Sequence, residues 1–141
     1  MNDLIADIIK LTDEIEEKLI GWRRDIHQHP ELGNQEFRTS KLVADHLREI
    51  GVDEVYENLC GATGVMGIIH GAEDGPIVGV RCDMDALPVK EATGLPFASE
   101  AFCEWGDQGT VPVMHACGHD NHTAMVMAVG EVVCRLKDQY S

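Results

Sequence analysis

The segment that most restricts the fold is TAMVMAVGEVVCRL, Thr123 to Leu136, which has the length of a helix and is apolar almost all the way round, apart from Glu131 and Arg135. A helix of that kind needs cover on more than one side. The residues before it supply few elements to provide that cover. Leu4, Ile8, Leu11, Ile15, Leu19 and Trp22 advance in steps of four or three with Asp13, Glu14, Glu16 and Glu17 interleaved, which predicts an amphipathic helix burying a single face. Pro30, Gly33 and Asn34 break the chain, and Phe37, Val43, Leu47 and Ile50 resume helical spacing up to Gly51, a suitable helix end. Two short runs rich in β-branched residues and bounded by Gly and Pro, VMGIIH at 65–70 and IVGVRCDM at 77–84, predict strands, with Gly71 to Pro76 a candidate hairpin turn between them. The second run is the more continuously apolar, as a strand covered on both faces would be. Residues 86–113 lack periodicity and carry Pro88, Gly94, Pro96, Gly106, Gly109 and Pro112, so a long loop is expected there. Two strands are thin for an open sheet. The expectation is one α/β domain, with helices flanking a mostly parallel sheet, that forms the front portion of a larger fold.

Charge narrows the partners. Lys and Arg total 11 against 25 Asp and Glu, a formal net charge of -14 in 141 residues. Such a surface repels phosphate backbones and anionic membranes, so neither nucleic acid nor membrane is an expected partner. No window approaches the roughly 18 uninterrupted apolar residues of a membrane span. The five cysteines, at 60, 82, 103, 117 and 134, are odd in number and show no paired spacing, and MNDLIADIIK lacks a basic segment followed by an apolar signal core. A reducing cytoplasm fits these features best.

The chemistry is concentrated in MHACGHDNH, Met114 to His122, where three of the seven histidines stand with a cysteine and an aspartate. Cys117 and His119 offer a thiolate and an imidazole separated only by Gly118, whose lack of a side chain leaves room for two neighbouring metal ligands. The bland alternative is a buried free cysteine beside a core histidine. Asp83 and Asp85, in RCDMDALP, alternate to one face of the second predicted strand, where one of them would orient an imidazole ligand; the alternative is that they begin a turn. His27 and His29 end a helix that Pro30 terminates, and a capping or packing role is expected for them. His115 and His122 stay open between ligand, proton relay, substrate contact and structural hydrogen bonding. His46 and His70 read as ordinary surface or strand residues.

Three separated segments agree with one family. WRRDIHQHPELGNQE at 22–36, GVRCDMDALPVKEATGLPFAS at 79–99 and MHACGHDNHTAM at 114–125 resemble the amidohydrolases that include hippurate hydrolase, indole-acetyl amino acid hydrolases and N-acetyl-diaminopimelate deacetylase, within the superfamily of aminoacylases and zinc carboxypeptidases. The resemblance runs in order from about Leu19 to the chain end. It implies a dinuclear-metal, aminopeptidase-like catalytic domain in which Cys117 and His119 bind metal in a centre of two divalent ions, manganese or zinc, and Asp85 stands where relatives carry the aspartate that orients a ligand. Other branches place a histidine ligand where this chain has Asp83, so Asp83 is not assigned as one. The resemblance further implies hydrolysis of the amide bond of an N-acyl or N-aroyl amino acid, a homo-oligomeric full-length protein, and a glutamate general base, further ligands and an inserted lid domain that none of the residues 1–141 match.

Two rival readings accompany this one. Cys117 as a nucleophile activated by His119 or His122 would make a thiol hydrolase, although such pairs usually come from segments distant in sequence; a thiol enzyme survives chelation and a metalloenzyme does not. The chain as it stands would otherwise be a non-catalytic fragment, since two ligands leave most of a metal's coordination open.

Overall fold

A computed structural model describes residues 2–59 and 61–140; Cys60 lies outside the described residues. Helix α1 (Asn2–Gln28) lays its apolar stripe against α3 (His119–Leu136), where Ile15 packs with Ala128, Val132 and Leu136, and Leu4, Leu11, Leu19, Trp22 and Tyr140 close the seam. Burial of each large side chain in such a seam contributes about 1.5–3 kcal/mol. The helix ends where Pro30 forbids continuation. Helix α2 (Phe37–Glu49) has no side-chain cap from its own N-cap residue. Glu31 does that work instead: its carboxylate accepts the backbone N–H groups of Arg38 and Thr39, both at 2.8 Å, and the Thr39 hydroxyl at 2.9 Å. At the other end Gly51 takes φ +80°, the left-handed conformation a helix stop favours, and donates to the Arg48 carbonyl.

The sheet differs from the expected one. Strands β1 (Glu54–Leu59) and β2 (Gly64–Ile68) form one antiparallel pair, and β3 (Phe102–Glu104) and β4 (Thr110–Pro112) a second. Among the described residues the only parallel pairing is a single bridge between Leu32 and Ala86. The mostly parallel sheet is therefore not formed by these residues. The predicted strand at 65–70 is β2, but its partner precedes it, and no hairpin turn forms over 71–76. Residues 77–84 run without any strand partner, with Ile77, Val78 and Val80 exposed at 101%, 81% and 60%. Their side chains have strand chemistry, but pairing needs a neighbour that the described residues do not place there. The expected loop at 86–113 contains the β3–β4 pair and a turn of 3-10 helix at Gly106–Gln108. No helix among the described residues is long and apolar enough to cross a membrane.

Helix α3 corrects another expectation. Glu131, read as a polar interruption, is 2% exposed, while Met125 and Val129 are exposed at 41% and 45%. The buried carboxylate is held by Lys18 at 2.9 Å and Arg135 at 2.5 Å. Burial works against its charge, yet these two cations keep its pKa below the ordinary carboxylate value. His46 is likewise no surface residue: it is buried against Trp22, with ring centroids 4.4 Å apart, and Nε2 donates to the Met127 carbonyl at 3.4 Å.

A second, smaller core of Leu32, Ala86 and Val113, covered by Cys103 and Val111, positions the motif. Ala86 donates to the Glu31 carbonyl at 2.7 Å, and Leu87 and Met114 exchange two backbone hydrogen bonds at 3.0 Å. These bonds bring residue 85 beside the start of α3.

Candidate metal centre

Met114 is fixed by its bridge to Leu87, after which residues 116–117 turn and Gly118, at φ +78°, starts α3. A side chain at Gly118 would be strained in that conformation, so the glycine sets the angle between the cysteine and the helix. Cys117 lies exposed on the turn as a free thiol. His119 occupies the first helical position and is partly buried. Its Nδ1 donates to the Asp85 backbone carbonyl at 2.9 Å and lies 3.0 Å from Asp85 Oδ1. A carbonyl oxygen only accepts, so Nδ1 carries a proton, and in the neutral ring the lone pair is then on Nε2. That is the arrangement in which a carboxylate and a carbonyl orient an imidazole for a metal.

The structure separates the two aspartates that alternate in sequence. Asp85 meets His119, whereas Asp83 pairs with Arg81 and gives its backbone carbonyl to the Thr123 hydroxyl at 3.2 Å. His122 is exposed one turn along α3, its ring 5.8 Å from that of His119. His115 points the other way. It is 3% exposed and neither ring nitrogen has a hydrogen-bond partner, and burial pushes its pKa down to about 4.

His29 caps the end of α1 through a hydrogen bond from Nδ1 to the Asp25 carbonyl at 2.8 Å, whereas His27 does more than pack. It is 3% exposed and lies between two carboxylates, with Nδ1 2.8 Å from Asp120 Oδ2 and Nε2 3.1 Å from Glu91 Oε1. Arg23 Nε also reaches Asp120 Oδ2, at 2.9 Å. Sequence reasoning missed this cluster. The available signal was Arg23 and His27 one helical turn apart on the same face of α1, with Asp120 between two histidines of the motif.

The donor set fits a divalent ion in part. A borderline-soft ion takes a thiolate and an imidazole together, and the Asp85 contacts engage only Nδ1 of His119. Among the described residues, however, no group of three or more His, Cys, Asp or Glu side chains is placed to hold a metal. Cys117 and His119 would be two ligands of a larger set.

Comparison with known proteins gives the same direction. Residues 79–141 match the model of peptidase family M20/M25/M40. The chain is 45% identical to thermostable carboxypeptidase 1 of Saccharolobus solfataricus over 139 residues, 99% of this chain and 33% of the relative. It is 39% identical to the N-acyl-L-amino acid amidohydrolase of Geobacillus stearothermophilus over 132 residues, 94% of this chain and 33% of that one. A dinuclear metal-binding peptidase of the M20 family from Bacillus subtilis superposes with a TM-score of 0.77 at 39% identity, covering 89% of this chain and 32% of that chain. The chain thus spans about one third of the length of the relatives it matches. Over residues 79–141 it is similar to peptidase family M20/M25/M40, and over nearly its whole length to hydrolases named as carboxypeptidases and amidohydrolases.

Proposed function

We propose that this chain supplies part of a two-metal centre that hydrolyses the amide bond of N-acyl or N-aroyl amino acids. The observation that carries the reading is the His119 to Asp85 contact, in which Nδ1 donates to the Asp85 carbonyl beside its carboxylate, on the same short loop as the Cys117 thiol. The name of the Geobacillus relative supports the substrate class, and the Bacillus subtilis neighbour supports two divalent ions, for which manganese and zinc are the candidates. Such ions, when bound, acidify water and polarise the scissile carbonyl. Within this chain Cys117 acts as a thiolate ligand rather than a nucleophile, His119 as an imidazole ligand, and Asp85 as the group that holds the ring in its tautomer and orientation. The general base and the remaining ligands come from outside residues 1–141, which form the first part of the catalytic domain. In that complete domain the unpaired run at 77–84 takes its place in a mostly parallel sheet.

A chimaera tests this. Residues 1–141 replace the matching third of the Geobacillus amidohydrolase, and release of amino acid from N-acetyl and N-benzoyl amino acids is followed before and after chelation. Activity should vanish with chelator and return with manganese or zinc, and His119→Ala should abolish it. Asp85→Ala should weaken metal binding by about tenfold, because the residue-85 carbonyl keeps one of the two contacts. Activity that survives thorough chelation would favour the thiol hydrolase instead.

A further inference from the structure

We propose that Asp120, gripped by Arg23 and His27, is the positioning residue that holds the Cys117–His119 loop in its metal-binding geometry, and that the C-terminal end of α1 thereby forms part of the site. The proposal rests on the reading of Cys117 and His119 as ligands.

The loop has few supports of its own. Gly118 caps α3 without a side-chain hydrogen bond, and Cys117 is exposed on a turn. Two successive residues anchor it in different directions. His119 reaches Asp85, and Asp120, 0% exposed, reaches back to α1, where Oδ2 forms an ion pair with Arg23, 2.9 Å from Nε, and lies 2.8 Å from His27 Nδ1. Successive positions on a helix point about 100° apart, so the two grips fix both the rotation and the position of the first turn. The second ring nitrogen of His27 meets Glu91, whose carboxylate also accepts the Ser99 N–H and the Thr93 hydroxyl, both at 2.5 Å. Both ring nitrogens of His27 thus face carboxylates, and the ring links α3 to the segment 91–99. Phe97 from that segment covers the cluster, edge-on to His27 at 5.5 Å and 5.1 Å from the Arg23 guanidinium.

A buried ionic network is a poor way to stabilise a core, since apolar side chains of similar volume do as well or better. Its value lies in fixing geometry, and here the geometry it fixes begins one residue from His119. The network also explains why α1, which contributes no ligand, carries Arg23 and His27 on the face turned toward the motif.

The test is cobalt titration of the 141-residue chain, read by the thiolate-to-cobalt charge-transfer band, with folding followed by circular dichroism. His27→Gln and Asp120→Asn should remain helical yet bind cobalt about tenfold more weakly than the unmodified chain. Ile15→Val, which loosens the same pair of helices away from the network, should leave the affinity unchanged. If Asp120→Asn does not fold, Arg23→Gln decides by the same measure, because its side chain is 31% exposed and lies at the outer edge. Affinities within about twofold of the unmodified chain in folded variants would overturn the proposal. An equal loss in Ile15→Val would do so too, by reducing the effect to general stability. Absence of the band from the unmodified chain would remove the ligand reading and the proposal with it, whereas a band indifferent to the variants removes the proposal alone.

Discussion

Two buried histidines give the protein a pH dependence that its carboxylates do not mask. Burial holds the pKa of His46 below the ordinary 6.5 and that of His115 down at about 4. A base whose folded pKa is depressed is protonated first in the unfolded chain, so unfolding takes up protons as pH falls below 6.5. Stability is therefore complete above that value and declines below it. By pH 5 His115 alone should cost about 2 kcal/mol. Glu91 and Glu131 have pKa values below 4.5, so their contribution is lost only at lower pH, and the window from 6.5 to 5 isolates the histidines. Urea unfolding with chelator present, at pH 7.5 and 5, should show the decline in the natural chain and a smaller one in His115→Phe. An identical slope in the variant would mean that His115 is not the group responsible. In the sequence His115 was open between four roles, since nothing local tells whether an imidazole will find a partner.

Elements divide by whether their cause is local. The helices are legible because apolar spacing and the stop signals Pro30 and Gly51 sit inside the segments they shape. Strands are not, because pairing is set by partners distant in sequence: nothing local marks Glu54–Leu59, Phe102–Glu104 and Thr110–Pro112 lie in a stretch with loop composition, and 77–84 has strand composition but no strand. The Cys117–His119 motif stands out by composition and by resemblance; the cluster beside it does not, since His27 meets residues 64 and 93 positions away. The unpaired run makes a sharp prediction. Ile77→Thr should shift the unfolding free energy by less than about 0.5 kcal/mol, because the side chain is fully exposed, whereas Ile26→Ala, at 0% exposure, should cost about 2–5 kcal/mol. Equal penalties would show that 77–84 is buried in solution.

For the whole molecule, the geometry separates holding a metal from using one. A hydrolytic centre with two ions needs several ligands on each, an open position for water and a carboxylate to take its proton. Among residues 2–59 and 61–140 no group of three or more such side chains is placed to hold a metal, and the proposed ligands Cys117 and His119 are two donors only. Two donors leave most of the coordination sphere to solvent, so binding should be weak compared with a complete site of four protein ligands. The net charge of -14 will draw divalent cations to the surface in general, which makes loss of the thiolate-specific signal in Cys117→Ala the necessary control. The 141-residue chain, loaded with manganese or zinc, should release amino acid from N-acetyl or N-benzoyl amino acids no faster than its own His119→Ala variant. Turnover clearly above that variant would show that these residues assemble a working centre by themselves, through a second copy or a rearrangement of the turn at 116–118. It would also move the general base into this chain, with Glu91, Asp85 and His122 the first positions to substitute.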